Sequence, residues 1–101
     1  EIGGLAIEPA KRSVRVDGAP RALTAVQFDL LAALAREPGR VFTREQLLEA
    51  IHETESEGYE RTIDAHVKNL RRALGDASAR PRFIATVRGV GYKLVEPEDA
   101  P

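Results

Sequence analysis

The sequence contains no cysteine and no methionine, and only two histidines, His52 and His66. Without thiols the chain cannot form disulfides, thiolate zinc sites or cysteine nucleophiles, and this composition suits a reducing compartment. The two histidines are not a metal-binding pair. We therefore expect neither a metal nor another cofactor.

Long hydrophobic runs are absent as well. No apolar segment approaches the roughly 20 residues needed to span a bilayer, and no basic and then apolar leader opens the chain. We therefore expect a soluble, cytoplasmic domain without membrane contact. Since the chain begins at Glu1 and has no methionine, we also expect it to be a segment of a longer protein.

The length of 101 residues suits one domain with one core and one binding surface. A chain of this length does not favour a deep catalytic cleft. We predict a single domain over residues 1–101. Its structured core is expected over residues 5–94, with a flexible tail over residues 95–101.

The formal net charge of -1 hides a strong segregation of charge along the chain. Residues 43–60 carry six glutamates and one arginine, whereas residues 61–93 carry eight basic side chains and two aspartates. The field at a surface is set by charges within a Debye length of about 8–10 Å. The domain can therefore present a basic face to a polyanion although its isoelectric point is about 6.2.

The first half of the chain predicts a small antiparallel sheet followed by two helices. Short alternating pieces make up the first 23 residues, which is typical of a meander. Thr24 and Thr43 each open a helix, with a glutamine three residues later completing a capping box. The first helix is expected to end at Pro38 and the second near His52, where an acidic loop over residues 52–60 begins.

A third helix is predicted over residues 61–74, which read RTIDAHVKNLRRAL. At about 100° per residue, its apolar side chains form one stripe and its basic side chains the opposite face. The stripe consists of Ile63, Val67, Leu70 and Leu74, and the opposite face of Arg61, Ala65, Lys68 and Arg72, flanked by Asn69 and Arg71. A solvated amphipathic helix shows the same pattern, so this helix alone does not decide its role.

The end of the chain predicts a β-hairpin over residues 82–94, RFIATVRGVGYKL, because apolar residues alternate and Arg88 precedes a glycine where the chain reverses. The order is then strands, helix, helix, loop, basic helix and hairpin. This order describes an α+β fold of the winged helix-turn-helix type, with a small N-terminal antiparallel sheet, three helices and a C-terminal wing.

Two long segments resemble a known family. The residues RTIDAHVKNLRRALGD and FIATVRGVGYKL are similar to the closing half of the OmpR/PhoB-type DNA-binding domain of bacterial response regulators, and LTAVQFDLLAALAREPGRVFTREQLLEAI resembles its first two helices. The resemblance covers roughly residues 5–94. It implies a four-stranded N-terminal sheet, three helices and a hairpin, which follow a phosphorylatable receiver domain absent from this chain. It also implies sequence-specific binding to direct repeats in double-stranded DNA, as head-to-tail dimers, to regulate transcription.

In such a fold the third helix enters the major groove, with cations at phosphates and short side chains at base edges. The cationic candidates are Arg61, Lys68, Arg71 and Arg72. The methyl group of Ala65 can contact thymine, or this alanine is simply a good helix former. Asn69 can pair with adenine. We expect Asp64 to stabilise the helix dipole from the first turn, although it can also accept from cytosine or orient an arginine.

Five further candidates lie on or beside the same surface. Arg88 at the hairpin turn is predicted to enter the minor groove, and Thr86 to contact a phosphate. Thr43 and Arg44 can offer a hydroxyl, backbone amides and a charge to a phosphate, although Thr43 is also an ordinary helix cap. His66, at the edge of the apolar stripe, is predicted to pack or to bind a phosphate, without a catalytic role.

The acidic loop stands where the resemblance implies contact with RNA polymerase, and its candidate residues are Glu53, Glu55 and Glu57. A solvated loop is the alternative, and His52 replaces a tryptophan found in many relatives. A second hypothesis for the domain is a winged helix used for protein contact, although basic charge on both helix and wing argues against it. An enzyme is not predicted, because the sequence pairs no nucleophile with a base.

Overall fold

Three helices and six short strands make up the part of the chain that the computed structural model describes, which is residues 2–51, 59–76 and 80–96. For residues 59–61 only the backbone is described. The order of elements and the wing at the C-terminal end confirm the predicted α+β winged-helix fold.

The N-terminal sheet is antiparallel, with its strands in sequence order: β1 (Leu5–Glu8), β2 (Ser13–Val16) and β3 (Ala19–Arg21). Asp17 and Gly18 connect β2 to β3 with φ angles of 52° and 85°, the left-handed conformation that a tight hairpin turn requires. Among the described residues this sheet has three strands, not the four that the family resemblance implied. The fourth short strand of the chain pairs with the C-terminal hairpin instead.

Helices α1 (Ala25–Ala35) and α2 (Arg44–Ala50) begin at the two predicted capping boxes. Thr24 accepts a hydrogen bond from the backbone N–H three residues later at 3.2 Å, and Thr43 does so at 3.1 Å. The glutamine at that position accepts from the threonine's own N–H in return. Two backbone donors that lack helical partners are thereby satisfied at each helix start. Helix α1 contributes more buried side chains than one face could hold, namely Phe28, Leu30, Leu31, Ala33 and Leu34.

Helix α3 (Tyr59–Leu74) begins two residues before the predicted start. Asp64 therefore lies in the second turn, and the expected dipole role in the first turn is wrong, because the dipole effect fades within one turn. Gly75 ends the helix in the left-handed conformation with φ 72°. Its N–H donates to Arg72 O at 3.2 Å and the next N–H, of Asp76, donates to Arg71 O at 2.8 Å, which completes a Schellman motif.

The predicted apolar stripe of α3 is the buried side of that helix. Its four residues expose at most 1% of their surface: Ile63, Val67, Leu70 and Leu74. They belong to one core cluster with residues of both other helices and both sheets. The opposite side of α3 is thereby left for solvent or a partner.

The C-terminal hairpin consists of β5 (Ile84–Val87) and β6 (Gly91–Leu94), and β4 (Phe42–Thr43) extends it to a three-stranded sheet in the order β4-β6-β5. Gly91 is required where β6 meets β4, because a Cβ atom there would collide with the carbonyl oxygen of Phe42. The wing is thus attached to the strand that leads directly into α2. Within the described ranges, no helix has the length and hydrophobicity of a membrane span.

Candidate nucleic-acid interface

The outward face of α3 carries exposed cations. Lys68 and Arg72 lie one helical turn apart, both are exposed, and neither makes a hydrogen bond or ion pair to the part of the chain that the structure describes. They border a shallow groove together with Arg71 and Asp76. Ala65 and Asn69 are exposed on α3 as well. Cations without internal partners are available to an anionic ligand.

Asp64 is bound to two side chains of neighbouring elements. Its Oδ1 accepts a hydrogen bond from Nε of Arg44 at 2.7 Å and from the hydroxyl group of Tyr92 at 2.6 Å. Of the three predicted roles of this carboxylate, the hydrogen bond to Arg44 supports the orientation of an arginine. Asp64 joins the first residue of α2 and strand β6 to the middle of α3.

The pKa values of this cluster shift in the directions that its contacts require. Partial burial opposes ionisation of Asp64, but hydrogen bonds from Tyr92 and Arg44 and the arginine charge hold its pKa below 3.8. The hydrogen bond to Asp64 raises the pKa of Arg44. Burial, together with the hydrogen bond to the carboxylate and its charge, raises the pKa of Tyr92 above 10.0. At neutral pH the cluster therefore contains a charged carboxylate, a charged guanidinium and a neutral phenol.

Arg71 was predicted to face DNA, but the structure turns it towards the wing. Its Nε and one terminal nitrogen donate to the carbonyl oxygen of Ile84 at 3.2 and 2.8 Å, and that terminal nitrogen also donates to Oγ1 of Thr86 at 2.8 Å. Arg71 is half-buried, unlike the adjacent Arg72. Arg71 therefore connects α3 to β5 and, unlike Lys68 and Arg72, has hydrogen-bond partners within the described residues. Thr86 accepts this bond and keeps its own proton for another acceptor.

Tyr92 is a central residue of the site that sequence reasoning missed. The guanidinium carbons of Arg44 and Arg71 lie 5.3 and 5.7 Å from the centre of its ring, within the range of a cation–π interaction. The ring is buried and its hydroxyl reaches Asp64. The sequence did offer a signal, because a tyrosine at a buried strand position needs a partner for its hydroxyl group.

The wing carries Arg88 at its exposed turn. Arg88, Gly89 and Val90 connect the two strands, and Gly89 has a positive φ of 75°. Arg88 makes no hydrogen bond or ion pair within the described ranges, and it follows Thr86, the residue bound by Arg71, by two positions. Only Val87 therefore separates the start of the turn from Thr86, the residue that Arg71 of α3 binds. Val90 is 45% exposed beside it.

The base of the wing is fixed by a second aspartate that sequence reasoning missed. The carboxylate of Asp76 accepts hydrogen bonds from the backbone N–H groups of Arg82, Phe83 and Ile84 at 2.7, 3.2 and 2.9 Å. The side chain of Arg82 in turn forms a two-point contact with Asp17 of the N-terminal sheet, at 2.7 and 2.5 Å. The hairpin is therefore held to the end of α3 and to the first sheet.

The remaining predicted residues have different outcomes. The hydroxyl group of Thr43 caps α2, and His66 is half-buried beside the apolar stripe. The side chain of Arg61 lies outside the described residues, as do the acidic loop candidates Glu53, Glu55 and Glu57. In the described ranges, no group of three or more His, Asp or Glu side chains could hold a metal ion.

Comparison with known proteins gives consistent matches. Residues 18–94 match the family model described as transcriptional regulatory protein, C terminal. The chain is similar to the sensory transduction protein RegX3 of Mycolicibacterium smegmatis, with 40% identity over 94 residues, which covers 93% of this chain and 41% of RegX3. The chain spans less than half the length of the curated relatives that it matches.

Solved structures resemble this chain over nearly its whole length. The DNA-binding domain of Klebsiella pneumoniae RstA in complex with the RstA box has a TM-score of 0.86 and 34% identity, and 94% of both chains is covered. Thermotoga maritima DrrB, a response regulator described as an OmpR/PhoB homolog, has a TM-score of 0.84 and 36% identity. That match covers 94% of this chain and 43% of DrrB.

Proposed function

The chain belongs to the OmpR/PhoB-type C-terminal domains of transcriptional regulatory proteins, and on that basis we propose that it binds double-stranded DNA sequence-specifically and regulates transcription. In a longer protein it would be the output domain of a response regulator behind a phosphorylatable receiver, in the bacterial cytoplasm. The role is one of binding and not of catalysis.

One observation carries this proposal: Lys68 and Arg72 are exposed side by side on α3 without internal partners. Their positive charges lie opposite the buried stripe of the helix, where a major groove of about 12 Å width could receive them. Similar domains have been solved with DNA, namely that of RstA with the RstA box and that of AdeR with an intercistronic region.

The DNA contacts proposed for each residue follow from which side chains are exposed. Lys68 and Arg72 bind phosphates or groove edges, whereas the exposed side chains of Ala65 and Asn69 contact bases. Arg88 at the turn of the wing enters the minor groove, where a narrow groove concentrates negative potential. Arg61, which the sequence places on the basic face of α3, is a further phosphate contact.

Two finer proposals concern assembly and partners. Two copies bind head to tail on direct repeats spaced by about one helical turn, as the family resemblance implies. The acidic loop, with Glu53, Glu55 and Glu57, contacts RNA polymerase. The strong negative charge of this segment in the sequence supports a role separate from DNA binding, because phosphates would repel it.

The test is selection of binders from a random duplex pool by the purified domain, followed by titration of the selected duplex at several salt concentrations. We expect an enriched direct repeat and an affinity that falls steeply with salt. About five neutralised phosphates would give a slope of log K against log salt near -4.5. No enrichment, or a complex insensitive to salt, would contradict the proposal.

The wing is tested separately by Arg88→Ala. We expect this variant to weaken binding and to reduce any preference for A·T pairs beside the core site, because minor-groove arginines respond to groove width. Lys68→Ala should lower affinity more uniformly across sequences. Lys11→Ala removes an exposed cation from the turn between β1 and β2 and is the matched control. Equal effects of Arg88→Ala on all flanking sequences would exclude the minor-groove role.

A further inference from the structure

We propose that Tyr92 is a positioning residue for DNA binding: acting through Asp64, its hydroxyl group holds Arg44 in the orientation that binds a DNA phosphate. The inference rests on the proposed DNA-binding function and adds to it a mechanism by which a buried strand residue affects the interface. Tyr92 itself is buried and would not touch DNA.

Tyr92 and Arg44 share one acceptor atom. The hydroxyl of Tyr92 and Nε of Arg44 both donate to Oδ1 of Asp64, at 2.6 and 2.7 Å. Tyr92 lies on β6, which is paired with β4 immediately before α2, so the ring is held by the sheet. Asp64 therefore receives one fixed donor from the wing, and this donor orients its carboxylate towards Arg44.

The guanidinium of Arg44 has N–H groups that Asp64 does not use. A guanidinium has five N–H groups in one plane, and only Nε–H is committed to Asp64. Besides Asp64, the guanidinium interacts with the side chain of Tyr92, and the arginine side chain is 21% exposed. These two partners leave N–H groups of the guanidinium uncommitted within the described residues. A planar pair of donors held in place fits the geometry of a phosphate, and less entropy is lost on binding when the group is already oriented.

The contact with Arg44 accounts for the carboxylate of Asp64 on a basic surface. Asp64 is exposed on the same helix as Lys68 and Arg72, where a free negative charge would repel phosphates. Its two charge-assisted hydrogen bonds offset that repulsion by placing the guanidinium of Arg44 against it. The Asp64–Arg44 pair thus presents an oriented hydrogen-bond donor on this face, where Asp64 alone would present a repulsive charge.

The test is a double-mutant cycle on duplex binding with Tyr92→Phe and Arg44→Ala. Tyr92→Phe removes one oxygen atom and keeps the ring near both arginines. We expect Tyr92→Phe to lower affinity about 3–10-fold and to make the salt slope measurably less steep, by at most about 0.9, the value for one phosphate contact. In the Arg44→Ala background the same change should have almost no further effect.

Two further variants make the cycle specific. In the Lys68→Ala background, Tyr92→Phe should retain its full effect, because Lys68 makes no contact with the cluster in the described residues. Asp64→Asn removes the negative charge while leaving an oxygen acceptor. Once Arg44 is removed, Asp64→Asn should not lower affinity further but raise it, because it removes a carboxylate charge that no guanidinium offsets. Urea unfolding of every variant establishes that the protein measured is folded.

The outcomes separate the two proposals. If the wild-type domain binds the selected duplex but the losses from Tyr92→Phe and Arg44→Ala multiply, the positioning role is wrong and the DNA-binding function stands. A loss of affinity in Tyr92→Phe with an unchanged salt slope also overturns the role. If the wild-type domain enriches no duplex at all, both proposals fail together.

Discussion

Arg71 and Arg72 are neighbours in the sequence but differ in what their guanidinium groups contact. Arg71 is half-buried and donates to the backbone of β5 and to Thr86, whereas Arg72 is exposed and has no partner within the described residues. The helical wheel places both near the outward face and cannot separate them. Their difference arises because a strand more than ten residues further along the chain docks beside one of them.

This difference predicts distinct effects of two alanine substitutions. Arg72→Ala should weaken DNA binding and make the salt slope less steep by about 0.9, because one phosphate contact is lost. Arg71→Ala should destabilise the fold by about 1–3 kcal/mol, since it leaves a partly buried carbonyl oxygen without its charged donor. Urea unfolding and salt-dependent titration measure the two effects. The assignment fails if Arg71→Ala changes the salt slope as much as Arg72→Ala and leaves stability unaltered.

At the scale of single residues, the sequence predicts burial well and hydrogen-bond partners poorly. The apolar stripe of α3 is buried as its spacing indicates. The partners of Asp64 were not predictable in the same way, because Arg44 and Tyr92 are far away in sequence and converge only when three elements pack. Periodicity describes one helix at a time, whereas such contacts depend on how the elements are arranged.

At the scale of elements, local signals were the most informative. The two capping boxes and the glycine at the end of α3 act over three or four residues, so they could be identified directly from the chain. The start of α3 was placed two residues late because an acidic segment without apolar periodicity precedes it. The four strands expected for the first sheet came from the family resemblance alone; among the described residues that sheet has three strands, and β4 pairs with the C-terminal hairpin.

The attachment of the wing leads to a prediction about its local stability. Asp76 accepts three consecutive backbone N–H groups at the start of the hairpin, so Asp76→Ala should leave these donors without their acceptor. We expect a loss of about 2–3 kcal/mol in the free energy of unfolding, together with faster hydrogen exchange in β5 than in α1. Amide exchange and urea unfolding are the measurements.

A suitable control for this substitution is Asp29→Ala. Asp29 forms an ion pair with Arg12 at 2.8 Å on an open surface, where such pairs contribute about 0–1 kcal/mol. A loss in Asp76→Ala no larger than that in Asp29→Ala, or uniform exchange across the domain, would show that Asp76 does not anchor the wing.

At the scale of the whole molecule, one core holds the two sheets and three helices together, and the length of the chain was sufficient to predict a single core. The separation of charge along the sequence also predicted which helix carries exposed cations, namely Lys68 and Arg72 of α3. The sequence did not predict the link between the N-terminal sheet and the base of the wing. Asp17 and Arg82 are separated by 65 positions, and each by itself resembles an ordinary exposed turn or loop residue.

This long-range ion pair predicts a dependence of stability on pH. The hydrogen bond from Arg82 lowers the pKa of Asp17 in the folded protein below its ordinary value of 3.8. Between the folded-state pKa and pH 3.8 the unfolded chain therefore binds more protons than the folded protein. The stabilisation is present above pH 3.8 and lost as pH falls through the folded-state pKa.

Wild-type protein should melt at a higher temperature than Asp17→Asn at neutral pH, and the difference should disappear in strong acid. Arg82→Gln should show the same convergence, and the double variant should add little to either single change. A difference in melting temperature that is independent of pH would rule out the ion pair as its cause.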